Sequence, residues 1–80
     1  MKLYLISQTE NTGYDTYDSA VVAAENAKIA RKINPDRSGG SYAWCPSEYV
    51  TARYLGVAKA GTKRGLICAS FNAGYEEDAQ

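Results

Sequence analysis

Eighty residues, 45% of them hydrophobic, carry nine basic and nine acidic side chains and therefore no net charge. A single domain of this size buries only roughly 60–65% of the surface its unfolded chain exposes, which leaves little room for a deep substrate pocket beside a sufficient core. The chain has no histidine, so the commonest general base, nucleophile activator and zinc ligand are all missing.

Lys2 to Gln8 predicts a strand with Leu3 and Leu5 on one face and Tyr4 and Ile6 on the other. Thr9 to Gly13, with Asn11 and Gly13, has turn chemistry. Tyr17 to Ala24 predicts a second strand, and its short spacing from the first favours an antiparallel hairpin. Its small residues Ala20, Ala23 and Ala24 allow a helix to approach closely. That helix is expected over Glu25 to Ile33, where Ala27, Ala30 and Ile33 form one apolar stripe with Ile29 adjoining. Glu25 suits the positive end of its dipole and Lys28, Arg31 and Lys32 the negative end. Asn34-Pro35 stops it, because a residue before proline is pushed out of the α region.

Asp36 to Ser41, with Gly39-Gly40, is expected to be a loop, and Tyr42 to Tyr49 has no clear periodicity. Val50 to Ala58 predicts a third strand, Lys59 to Gly65 a basic turn, and Leu66 to Phe71 a last strand before a frayed acidic tail over Tyr75 to Gln80. The expected fold is α+β: a small antiparallel sheet in the order β-β-α-β-β, with one helix packed on one face.

Cys45 and Cys68 are too few and too far apart for a disulfide framework or a zinc site. Both are expected as free thiols, Cys68 buried in its apolar strand and Cys45 accessible in a loop and open to an intermolecular link. No apolar run approaches the roughly 20 residues that cross a bilayer. The apolar patch near Met1 is too short for a secretory signal and has no small-residue cleavage site, so the cytoplasm is the expected location.

Charge is unevenly placed along the chain. Through Glu25 four acids (Glu10, Asp15, Asp18, Glu25) oppose Lys2 alone, while Ala27 to Gly65 carries eight bases against Asp36 and Glu48. Glu76-Glu77-Asp78 lies near the end. The neutral total argues against general nucleic-acid binding, which rests on phosphate neutralisation, yet allows one acidic and one basic surface. Gly61-Thr62-Lys63-Arg64-Gly65 lacks P-loop spacing. Asp15 with Asp18 offers too few ligands for Mg²⁺. Neither a cofactor nor a metal is expected, and the chemistry favours a binder over an enzyme.

Tyr4, Tyr54 and Phe71 fall within strands and are expected to pack in the core or on the sheet. Tyr14, Tyr17, Tyr42, Trp44 and Tyr49 cluster near loops, where Tyr and Trp commonly anchor interfaces. Tyr14-Asp15-Thr16-Tyr17-Asp18-Ser19 combines such rings with carboxylates suited to a basic partner. Tyr14, Asp15, Tyr17, Asp18 and Trp44 are the candidate partner-binding residues; Arg37, Lys59, Lys63 and Arg64 form a secondary basic patch.

The segments Leu3 to Gln8, Tyr14 to Glu25 and Ile67 to Gly74 resemble a family of small phage and prophage proteins. That family includes anti-CRISPR inhibitors of type I systems, particularly type I-C. The middle, Asp36 to Tyr49, departs from the longer relatives. The resemblance implies a protein of the host-cell cytoplasm that binds Cas subunits of a crRNA-guided surveillance complex and blocks recruitment of target DNA. In one mode Tyr14, Asp15, Tyr17 and Asp18 occupy the Lys- and Arg-lined DNA channel; in the other Arg37, Lys59, Lys63 and Arg64 meet an acidic patch. Two other classes stay open: a nucleic-acid-binding regulator using the basic middle, and a nucleotide-signal sponge at an oligomer interface with Trp44 stacking a base. A homodimer is compatible with each.

Overall fold

A computed structural model describes residues 1–36 and 43–72, so Arg37, the Gly39-Gly40 loop, Tyr42 and the 75–80 tail lie outside the described residues. Alternating side chains in β1 (Lys2–Ser7) bury Tyr4 and Ile6 on one face and leave Leu3, Leu5 and Ser7 half-buried on the other. β2 (Thr16–Ala24) returns antiparallel beside it, with Lys2 opposite Ala24 and Ser7 opposite Ser19. β3 (Thr51–Val57) and β4 (Gly65–Asn72) complete a four-stranded antiparallel sheet in the order β3-β1-β2-β4. The two strands richest in fully buried side chains take the centre, and β3 and β4 form the two edges. The chain between them, residues 58–64, passes from one edge to the other.

The helix is shorter than its apolar stripe predicts. α1 (Ala27–Ala30) makes a single turn, capped by Asn26, whose Oδ1 accepts from the Ile29 N–H at 2.9 Å. The helix begins after Asn26 and not at Glu25, because the short amide side chain satisfies an orphan N–H of the first turn. Beyond Ala30 the backbone tightens to three-residue spacing, with Lys32 N–H donating to Ile29 C=O and Ile33 N–H to Ala30 C=O. Pro35 then stops further helix and is itself fully buried.

One face of the sheet carries the core: Tyr4, Ile6, Ala20, Val22, Ala24, Ala30, Trp44, Cys45 and Val50, with Ile29, Ile33 and Leu66 packed against it. Ala20 and Ala24 of β2 share this core with Ala30 of α1. Trp44 and Cys45 fold under the sheet ahead of a 3₁₀ turn at Ser47–Tyr49. The opposite face is uncovered among the described residues. It presents a shallow depression of about 200 Å³ lined by Leu5, Val21, Cys68 and neighbouring small side chains.

This arrangement corrects the expectation for the thiols. Both are free, but Cys45 is buried and Cys68 exposed. Cys68 sits on an edge strand opposite Val21, whose side chain lines the uncovered face. Cys45 lies beside Trp44 in the core, where burial, reinforced by the Glu10 carboxylate, pushes its thiol pKa up. The strand aromatics divide for the same reason. Tyr4 is buried, whereas Tyr54 on β3 and Phe71 on β4 are half exposed, meeting Tyr4 and Tyr17 at ring distances of 5.8 and 4.9 Å.

Candidate functional site: the acidic aromatic turn

The register places the two charged segments at opposite ends of the sheet. Ser7, Ser19 and Thr51 meet at one end, beside the 8–15 turn; Lys2, Ala24, Val57 and Gly65 meet at the other, beside the 58–64 connection. Six residues of strand separate them, about 20 Å at roughly 3.3 Å per residue.

The turn is braced from beneath by Gln8, which continues the buried parity of Tyr4 and Ile6 and is only 5% exposed. Its Nε2 donates to the carbonyls of Asn11 and Tyr17, both at 2.8 Å, and its Oε1 accepts from the Asn11 N–H at 2.8 Å. The Asn11 side chain donates onward to the Trp44 carbonyl at 3.0 Å, and the Tyr17 N–H donates to the Ala43 carbonyl at 2.8 Å. Thr16, also buried, closes the tip by donating from its hydroxyl to the Gly13 carbonyl at 2.7 Å. A buried amide with its hydrogen-bonding capacity filled fixes local geometry more strongly than exposed turn contacts do.

On this base Asp15 adopts φ 61°, the left-handed conformation that Asp tolerates better than most residues. Tyr14 beside it is 74% exposed, the most open tyrosine among the described residues. Asp18 is exposed at the register shift between Tyr17 and Ser19, a place where an extra residue re-aims a side chain. Tyr17 is half-buried, its ring against Phe71 and the core, so it supports the display more than it extends it. Tyr14, Asp15 and Asp18 are thus each exposed along residues 14–18, with Tyr17 half-buried between them.

Trp44 departs from the expected role. At 4% exposure it is a core residue, and only its backbone carbonyl serves the turn. The indole has no free face for a nucleotide base, which removes the stacking residue of the signal-sponge reading. Gln8 was the residue missed: a polar side chain at a core-parity position immediately before turn chemistry is the available signal.

At the far end Lys59, Lys63 and Arg64 are exposed. Arg64 is already engaged, donating from Nε and Nη2 to the two Glu25 carboxylate oxygens at 2.9 and 2.7 Å. This bidentate contact holds the Glu25 carboxyl below the usual carboxylate range. Lys59 and Lys63 are the other cations of the patch among the described residues.

Among the described residues no group of three His, Cys, Asp or Glu side chains is placed to hold a metal ion, and no helix is long and apolar enough to cross a membrane. No family model, curated protein or solved structure matches the chain.

Proposed function

We propose that the chain is a non-catalytic inhibitor that binds the Cas subunits of a type I, I-C-like, crRNA surveillance complex in the host cytoplasm and excludes target DNA. Tyr14, Asp15 and Asp18 form its contact surface: the ring supplies area at low entropic cost, and the two carboxylates take the place of phosphates on Lys- and Arg-lined protein. The observation that carries this reading is the Gln8-braced turn, because a surface held in its binding geometry before encounter loses less entropy on association. The choice of target follows what is implied by the resemblance of Leu3 to Gln8, Tyr14 to Glu25 and Ile67 to Gly74 to small phage and prophage proteins that include type I inhibitors.

The basic mode has less support, since Glu25 already occupies Arg64. Capture by the immobilised chain from a lysate expressing a type I-C complex tests the proposal. Retention of the intact complex in a form that no longer binds its DNA is the expected result. Failure to retain it at low salt overturns the choice of target, and retention of a complex fully competent for DNA overturns the occlusion mechanism.

A further inference from the structure

Charge is segregated between the two ends of the sheet. Residues 8–18 and 43–51, at the turn end, contain Glu10, Asp15, Asp18 and Glu48 and no Lys or Arg. At the other end the strand order β3-β1-β2-β4 sets Lys59, Lys2, Glu25 and Arg64 in a row: Lys59 follows β3, Lys2 opens β1, Glu25 follows β2, and Lys63-Arg64 precedes β4. These side chains are all exposed. The row spans the strand gaps from one edge to the other, about 14 Å at roughly 4.8 Å each. Hydrogen bonds fix its members: the Ala58 N–H donates to the Met1 carbonyl at 3.0 Å beside Lys2, and the Thr62 N–H and hydroxyl donate to the Lys59 carbonyl at 3.0 and 2.7 Å. A ring borders the row. Tyr54 lies opposite Tyr4, which shares a face of β1 with Lys2, and is 54% exposed with its ring set edge-on to the Tyr4 ring at 5.8 Å.

We propose that this end is a phosphodiester-binding surface, on which the backbone of a single-stranded nucleic acid crosses the sheet along Lys59, Lys2, Lys63 and Arg64 while a base stacks on Tyr54. An Arg fork binds a carboxylate and a phosphate with the same bidentate geometry. Glu25, which accepts from Nε and Nη2 of Arg64 at 2.9 and 2.7 Å, therefore holds the place of an incoming phosphate. The two side chains of that pair are 55% and 42% exposed, and an ion pair so open to water yields to a second anion. The cations select a polyanion. The exposed ring beside them selects nucleic acid over an acidic peptide, because bases stack on aromatic rings while the cations track the backbone. With no net charge on the chain, attraction comes from this end alone and falls with salt. The acidic turn is a separate surface about 20 Å away, so binding here stands or falls independently of the proposed target.

Fluorescence anisotropy of a labelled oligothymidylate of about ten nucleotides, titrated with the whole chain, tests the surface. Neutralising about three phosphates should make affinity fall about a hundredfold between about 20 mM and about 200 mM salt. Glu25→Gln frees the Arg64 fork and should tighten binding about three- to fivefold, the equivalent of one exposed ion pair. Glu48→Gln removes the same charge at the turn end and should leave affinity within about twofold. Residues 25 and 48 are both exposed, so neither variant disturbs the core. Tyr54→Leu should weaken the oligonucleotide about fivefold or more and leave inorganic polyphosphate, which has no bases, unaffected. A dissociation constant above about 1 mM at low salt, or equal tightening by Glu25→Gln and Glu48→Gln, overturns the proposal. Equal binding of polyglutamate at matched charge, or an unaltered oligonucleotide affinity in Tyr54→Leu, would assign the cations to an acidic protein segment and overturn the choice of nucleic acid.

Discussion

The two ends of this sheet hold their charged groups in opposite ways. At the turn end, a buried glutamine ties two carbonyls and an N–H, and the strap at residues 43–45 is bonded into the same network. At the other end the cations ride on an exposed connection whose side-chain anchor is the surface pair Arg64–Glu25. A surface ion pair is screened and worth little, whereas a satisfied buried amide is costly to disrupt. Position in the fold, more than the number of charges, therefore separates a braced turn from a solvated connection.

The largest expected effect tests whether the strap belongs to the core. Trp44→Ala should destabilise the fold by about 3–5 kcal/mol, the usual cost of emptying a large aromatic site, measured by chemical denaturation. A loss below about 1 kcal/mol, the range of surface substitutions, would return Trp44 to the surface. Gln8→Ala comes next, at about 2–4 kcal/mol, since it removes three part-buried hydrogen bonds at once. Amide exchange in residues 9–15 should accelerate with it. If the turn stays protected, the bracing assigned to Gln8 is wrong.

Asp15 separates backbone geometry from charge. Asp15→Ala should cost about 1 kcal/mol, because alanine lacks the local hydrogen bonding that eases the left-handed conformation. Asp15→Gly should leave stability nearly unchanged while removing the same carboxylate. Equal stability of the two variants would contradict the conformation at this residue.

The smallest effect belongs to the far end. The folded-state pKa of Glu25 is depressed by its hydrogen bonds from Arg64, so its contribution is present above the unfolded carboxylate pKa and is lost as pH falls through the folded value. Both groups lie at the surface, and the contribution should fade with added salt. Arg64→Gln should therefore flatten a slight acid-side slope in the unfolding midpoint without shifting the midpoint at neutral pH in high salt. A large neutral-pH loss in that variant would show this end to be as firmly built as the other.

Local pattern was enough for β1 and β2, since alternating side chains and a short turn leave few alternatives to a hairpin. It was also enough to mark Tyr14, Asp15 and Asp18 as surface groups. It was insufficient wherever strand order decides burial. Apolar neighbours around Cys68 suggest an interior strand, yet β4 is an edge and the thiol is exposed, while Cys45, next to a proline, is buried. The stripe in Glu25 to Ile33 is compatible with a long helix, but the Asn26 cap and the approach to Pro35 leave one regular turn. Gln8 has no local pattern that announces its partners, because Tyr17 is nine residues away and Asn11 passes the network on to Trp44, thirty-three residues further along the chain.

Target-DNA binding by a purified type I-C surveillance complex, incubated first with this chain or with its Asp15→Lys, Asp18→Lys double variant, tests the braced acidic surface most directly. Loss of DNA binding with the unaltered chain, and its recovery with a double variant whose circular dichroism is unchanged, is the predicted result. Undiminished blockade by the double variant would contradict it.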